Sequence, residues 1–97
     1  MSEKLAFLAH HQGDMVAVAV RDVAPGQAEY AYLDTEERTA IHVLEAIPLG
    51  HKVALHDIAE GTEVIEYGQR VGVTKAAIAA GAMVHVHNIR STKWQVA

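Results

Sequence analysis

The sequence predicts a single, mostly β domain, and three observations carry that prediction. Its apolar residues fall in runs of strand length bounded by turn residues, most clearly Met15 to Val20 between Gly13-Asp14 and Pro25-Gly26. The apolar fraction is carried by Ala and Val, with five aromatics in 97 residues, which suits thin, closely packed β layers better than a deep pocket. A strand-to-turn unit is also reused: Val18-Ala-Val-Arg-Asp-Val-Ala-Pro-Gly26 and Val53-Ala-Leu-His-Asp-Ile-Ala-Glu-Gly61 match in pattern at an offset of 35 residues. A chain of this length has core enough for one compact unit and too little for two. Residues 1–97 are therefore expected to form one domain, with an ordered core over about 5–91 and a tail over 92–97.

In chain order, residues 5–8 and Met15 to Val20 read as strands. His10, His11 and Asp14 fall in the turn between them. That turn is either a polar β-turn with Asp14 capping its own backbone, or it makes His11 and Asp14 a wall of a site. Glu29 to Leu33 and Thr39 to Ile47 read as strands joined by a charged, solvated tip, Asp34-Thr-Glu-Glu-Arg38. Ile47 to Gly72 then reads as strand, turn, strand, turn. Its first turn, Pro48-Leu49-Gly50, is followed at once by His51 and Lys52. The second, Ala59-Glu60-Gly61, opens a strand ending at Tyr67-Gly68, with Arg70 in the loop beyond. Thr74 to Ala80 is Ala-rich, starts on a capping residue and stops at Gly81, which predicts one short helix. The apolar-Ala-x-Gly half of the repeat recurs at Ile78 to Gly81. The residues after Gly61 and Gly81 also align, placing Val64 over Val84 and Gly68 over Asn88, as pseudo-symmetry within one β fold. Arg90 to Ala97 has no periodic pattern, and Trp94 there suggests a partner surface.

A net charge of −4 without any cluster of Lys or Arg argues against nucleic acid as a partner. No apolar run approaches the roughly 20 residues of a membrane span, and the opening residues lack the pattern of a secretory signal. A cytoplasmic protein is expected. Without Cys the chain can hold no iron–sulfur cluster, so any metal must use imidazole or carboxylate.

Seven histidines make the candidate site. In Val84-His85-Val86-His87-Asn88, strand alternation would put His85 and His87 side by side on one face, able to hold a metal ion or an anionic ligand. A half-exposed strand also needs polar residues on its outer face, so both readings stand. Asn88 adds an amide donor and a residue tolerant of a left-handed turn. His51 and Lys52, with Arg70, form a candidate carboxylate-binding corner, because Arg grips a carboxylate bidentately and Lys supplies a point charge. His42 and His56 stand on strands without a second polar group at ligand spacing and read as structural.

The segments IPLGHKVALHDI, I-x-YGQ-x-VG and GAMVHVHNIRS, with the VAVAVRDVAPG opening, resemble the small SAF (antifreeze-like, β-clip) domain of altronate and galactarate dehydratases, from about Leu5 to Ser91. The resemblance extends to the small subunit of sulfolactate sulfo-lyase. It implies a β-clip of bent, mainly antiparallel strands. It also implies β-elimination from a hydroxy acid by a lyase whose chemistry lies mainly in a large catalytic subunit. A divalent metal, iron by family habit and held mainly by that subunit, would polarise the substrate oxygens. On this resemblance His51 and Lys52 would contact substrate or line the entrance between subunits, His85 and His87 would face the same cleft, and no residue is assigned as the base. The chain is then expected to act as a hydro-lyase small subunit on a sugar acid, inactive alone. A sulfo-lyase subunit and a non-catalytic carbohydrate-binding module are the alternatives, and self-association is open to a Val/Ala-rich β domain with free edges.

Overall fold

The computed structural model describes residues 4–35, 37–66, 69–85 and 88–91. Among the described residues nine strands carry the fold: β1 Leu5–Ala9, β2 Val16–Ala19, β3 Gly26–Tyr32, β4 Arg38–Val43, β5 Lys52–Ala54, β6 Glu63–Glu66, β7 Gln69–Thr74, β8 Met83–Val84 and β9 Ile89–Ser91. A six-stranded sheet runs β4-β3-β1-β2-β5-β8, and a three-stranded sheet runs β6-β7-β9. Every pairing is antiparallel except β1 with β3. The larger sheet curls until its ends touch, because the Leu44 N–H beyond β4 donates to the Gly81 carbonyl before β8 at 3.0 Å. The mostly β expectation holds.

The repeat in the sequence is a repeat in hydrogen bonding. In the first copy Val23 and Ile47 exchange both backbone bonds as an isolated bridge, and in the second Ile58 and Ile78 do the same. All four side chains are buried. The Asp before the first member of each bridge clips the backbone two residues past the second member. Leu49 N–H donates to Asp22 Oδ1 at 2.9 Å, and Ala80 N–H donates to Asp57 Oδ1 at 2.9 Å. Gly50 N–H bonds Ala19 O at 2.9 Å just as Gly81 N–H bonds Ala54 O at 2.9 Å. Each copy also carries a hairpin, β3–β4 in one and β6–β7 in the other. Two apolar clusters result. One gathers Phe7, Val23, Val43, Ile47 and Val53, and the other Val16, Ala54, Ile58, Val64, Ile78 and Val84.

These bonds correct three sequence expectations. Gly81 is the partner of Gly50 and not of Gly61, since Gly50 and Gly81 close the same turn on the same strand position. The helix expected over 74–80 is absent. Thr74 ends β7, its buried hydroxyl donating to Ala59 O at 2.6 Å and accepting from Thr62 N at 2.9 Å, and Ile78 is held in the bridge. Alanine's helix preference is a few tenths of a kcal/mol per residue, on the order of what one bridge hydrogen bond and one buried Ile outweigh. Arg70 lies on β7, not in a loop. The expected strand end at Tyr67-Gly68 and the Trp94 tail lie outside the described residues.

Candidate functional site

Pro48-Leu49-Gly50-His51 forms a type II turn: the His51 N–H donates to Pro48 O at 3.0 Å and Gly50 has φ +86°. A positive φ at the third position is what calls for Gly there. The turn delivers His51 to the start of β5, whose Lys52 pairs with Val84 of β8. In an antiparallel register the next residues outward are His51 and His85, and their rings do meet, with centroids 5.1 Å apart and planes inclined by 25°. Two imidazoles far apart in sequence thus share one edge, His51 half-buried and His85 exposed.

Asn88 fixes His85. Its amide Nδ2–H donates to Met83 O at 2.7 Å, its Oδ1 accepts from His85 N at 2.9 Å, and its own N–H donates to His85 O at 3.0 Å. The amide expected to face a ligand is engaged in closing the loop. The strand expected to carry His85 ends one residue before it, at Val84. His87 lies outside the described residues.

Lys52 leaves β5 on the side opposite His51, as strand alternation demands. It shares the side of Val84 and approaches Glu66, with Nζ 3.9 Å from Oε1. The Glu66 side chain is only 7% exposed, so a cation nearby offsets the burial of its charge. An ammonium has three donors, and at 3.9 Å Glu66 lies beyond hydrogen-bond reach of them. Glu66 was not among the residues expected at the site. Its signal was present in the sequence: it stands two residues from fully buried Val64 on one strand, hence on the inward face. Arg70 is paired elsewhere, with the carboxylate of Glu63 on the exposed face of the small sheet.

His11 and Asp14 lie at the far end of β2 from His51. Buried Asp14 accepts from the His11 N–H at 3.4 Å, and its own N–H donates to His11 O at 3.1 Å, which is the turn-capping arrangement. His11 Nδ1 also stands 3.9 Å from Asp34 Oδ2. His42 is exposed on β4, and His56 is exposed beyond β5 with Nδ1 2.9 Å from Asp57 O. Among the described residues no three or more His, Asp or Glu are grouped to hold a metal ion. This chain's described donors therefore do not fit a complete divalent-metal site.

Comparison with known proteins decides the family. Residues 5–92 match the altronate/galactarate dehydratase SAF domain. The chain belongs to that family. Among relatives, the (2R)-sulfolactate sulfo-lyase subunit alpha of Chromohalobacter salexigens is 38% identical over 90 residues, covering 91% of this chain and 96% of that one. The altronate dehydratases of Escherichia coli and Bacillus subtilis are 39% and 34% identical over 87 and 86 residues, which are 90% and 89% of this chain but 17% and 16% of theirs. This SAF chain thus spans nearly the whole of a lyase alpha subunit and about one sixth of each of these two dehydratases.

Proposed function

We propose that this SAF protein is the small subunit of a hydro-lyase, eliminating water from a sugar acid together with a large catalytic chain, and inactive without it. The observation that carries the reading is the His51–His85 pair on one edge of a domain matched along its length to a dehydratase family. In the elimination, the proton on the carbon beside the carboxylate is removed. Its electron pair forms a C=C bond, the C–O bond on the next carbon breaks, and the hydroxide leaves as water, giving an enol that becomes a 2-keto acid. His51 and His85 supply hydrogen bonds to the substrate's oxygens at the rim. Lys52, on the other side of β5, supplies charge for its carboxylate, and Arg70 adds a second cation once released from its pairing with Glu63. The base and the divalent metal, iron on family resemblance, are assigned to the large chain, since the described residues here offer no complete ligand set. The complex is assigned to the cytoplasm on the sequence expectation; among the described residues no helix is long and apolar enough to cross a membrane.

The near end-to-end match to a sulfo-lyase alpha subunit favours a second reading, in which sulfite leaves in place of water. One experiment separates these. The chain is co-expressed with its cognate large chain, and the purified complex is assayed for 2-keto acid from sugar acids and for sulfite from sulfolactate. His51→Ala/His85→Ala should lower turnover by roughly ten- to a hundred-fold, the range of a lost polar contact to a reacting group, with unchanged melting. Turnover equal to wild type would return both rings to the surface. A chain that purifies alone and gains no activity would be a binding module.

A further inference from the structure

The duplicated fold contains its own control. The turns Pro48-Leu49-Gly50-His51 and Ala79-Ala80-Gly81-Ala82 occupy equivalent places, share the closing bond at 3.0 Å, and hold their glycines at φ +86° and +88°. The fold is satisfied by Ala-Ala-Gly-Ala in one copy, so Pro-Leu-Gly-His in the other is not a folding requirement. Leu49, the counterpart of Ala80, is 61% exposed, the most exposed large apolar side chain among the described residues. Water gains nothing from it there.

The turns differ in what lies outside them. The Gly81 turn is covered by the end of β4: Leu44 N–H bonds the Gly81 carbonyl and the Leu44 side chain lies against it. The Gly50 turn is open, with no atom of the described residues within 4 Å of where a Cβ would stand. Its carbonyl has no hydrogen-bond partner among the described residues. Beside it runs a shallow groove of about 450 Å³ lined by Asp22, Val23, Ala24, Ala46, Ile47 and Pro48, with Leu49 at its rim.

We propose that an extended segment of the large lyase chain docks on this open turn, repeating what the end of β4 does at the other: a backbone N–H to the Gly50 carbonyl and an apolar side chain over Leu49 and the groove. The proposal rests on the lyase-subunit reading and adds the surface that joins the two chains. That occupant is favoured by continuity, because Leu49 and His51 belong to one turn. A chain that completes the site at His51 must pass over Leu49. In the altronate dehydratases the matched region is about one sixth of the polypeptide, so a domain of this kind there shares one chain with a much longer remainder.

The test measures affinity of the purified cognate large chain for wild type, Leu49→Ala, Leu49→Asp and Leu33→Asp, with a melting curve for each. Leu49→Ala copies what the second turn already tolerates, so its melting should match wild type while affinity falls by on the order of ten- to a hundred-fold, the burial of one leucine. Leu49→Asp should abolish capture. Leu33→Asp, at the equally bare β3–β4 tip, should leave it intact. Binding of Leu49→Asp within twofold of wild type, or equal weakening by Leu33→Asp, overturns the docking surface alone. If wild type neither binds a large chain nor gains lyase activity, the subunit reading falls and this proposal with it.

Discussion

Replacing Gly50 and Gly81 by Ala separates backbone strain from crowding at two turns of equal geometry. An L-residue at their positive φ costs about 1–2 kcal/mol, and at Gly50 that is all, because a Cβ would meet nothing within 4 Å. At Gly81 the Cβ would stand 1.9 Å from the His42 carbonyl oxygen and 3.0 Å from its carbon. Both are backbone atoms of the strand that closes the sheet, so no side chain can swing aside. The end of β4 must move by about 1 Å or more, in an interior packed without slack. That motion breaks the Leu44–Gly81 hydrogen bond, worth about 1 kcal/mol, and loosens Val43, which is fully buried. Together with the strain the loss is about 3–5 kcal/mol, against a total of roughly 5–15 kcal/mol for a domain of this size. Thermal and urea unfolding followed by circular dichroism measure both variants. At about 4–8 °C per kcal/mol, Gly50→Ala should melt about 5–15 °C below wild type. Gly81→Ala should melt at least about 15 °C below it or fail to fold. Equal losses would mean that the larger sheet does not close through residues 42–44 and 81, and the curled architecture would be refuted.

Two further outcomes follow from the same bonds and charges. Asp22→Ala and Asp57→Ala each remove one carboxylate clip from equivalent places. Each should cost about 1 kcal/mol in urea unfolding, with the double variant additive because the clips share no partner. Strong non-additivity would deny the equivalence. The Tyr32 hydroxyl is pushed up to about 12, first by burial, then by its hydrogen bond with Tyr30 and the charges of Tyr30, Asp14 and Asp34. Its proton is held more tightly in the folded chain than in the unfolded one, so this contribution is complete below about pH 10 and is lost between about 10 and 12. Solvent screening of the partly exposed ring reduces the effect to about 1 kcal/mol. Tyr32→Phe should flatten that part of the stability profile. A variant with an unchanged alkaline slope would assign the slope to other groups.

The strands were legible because Val and Ala runs between Gly- and Pro-bearing turns leave few alternatives, and the first repeat was legible because Asp22 and Asp57 precede equivalent bridge residues. What the sequence hid was pairing. Apolar-Ala-x-Gly occurs at both Gly61 and Gly81, so a pattern match joined them, whereas hydrogen bonds to Ala19 and Ala54 join Gly50 with Gly81. The Ala run at 76–77 and 79–80 suggested a helix for the same reason: local preference was visible, but the long-range bridge from Ile58 to Ile78 that overrides it was not. The meeting of His51 and His85 needs the register Lys52 with Val84, a contact across more than thirty residues that no local pattern encodes. Glu66 could have been found, since a carboxylate in step with Val64 on an inward face calls for a cation.

Duplication also explains why the candidate site lies where it does. Each copy ends in a type II turn, but closing the sheet uses one of them: the Gly81 carbonyl is taken by the end of β4, and the space over Gly81 is filled by His42 and Leu44. The Gly50 turn has no such neighbour, and β5 carries its last residue against β8 of the other copy. His51 therefore comes from the open turn, and His85 from the residues that follow the sealed one. The sealed turn sets where β8 begins, and Asn88 ties the His85 backbone just past its end, so the exposed His85 ring meets the half-buried His51 ring. A site built this way needs both copies for its geometry and exposes only one to a partner. For that reason the sequence differences between the copies, Leu49 against Ala80, His51 against Ala82 and Lys52 against Met83, mark function more sharply than any motif within either copy.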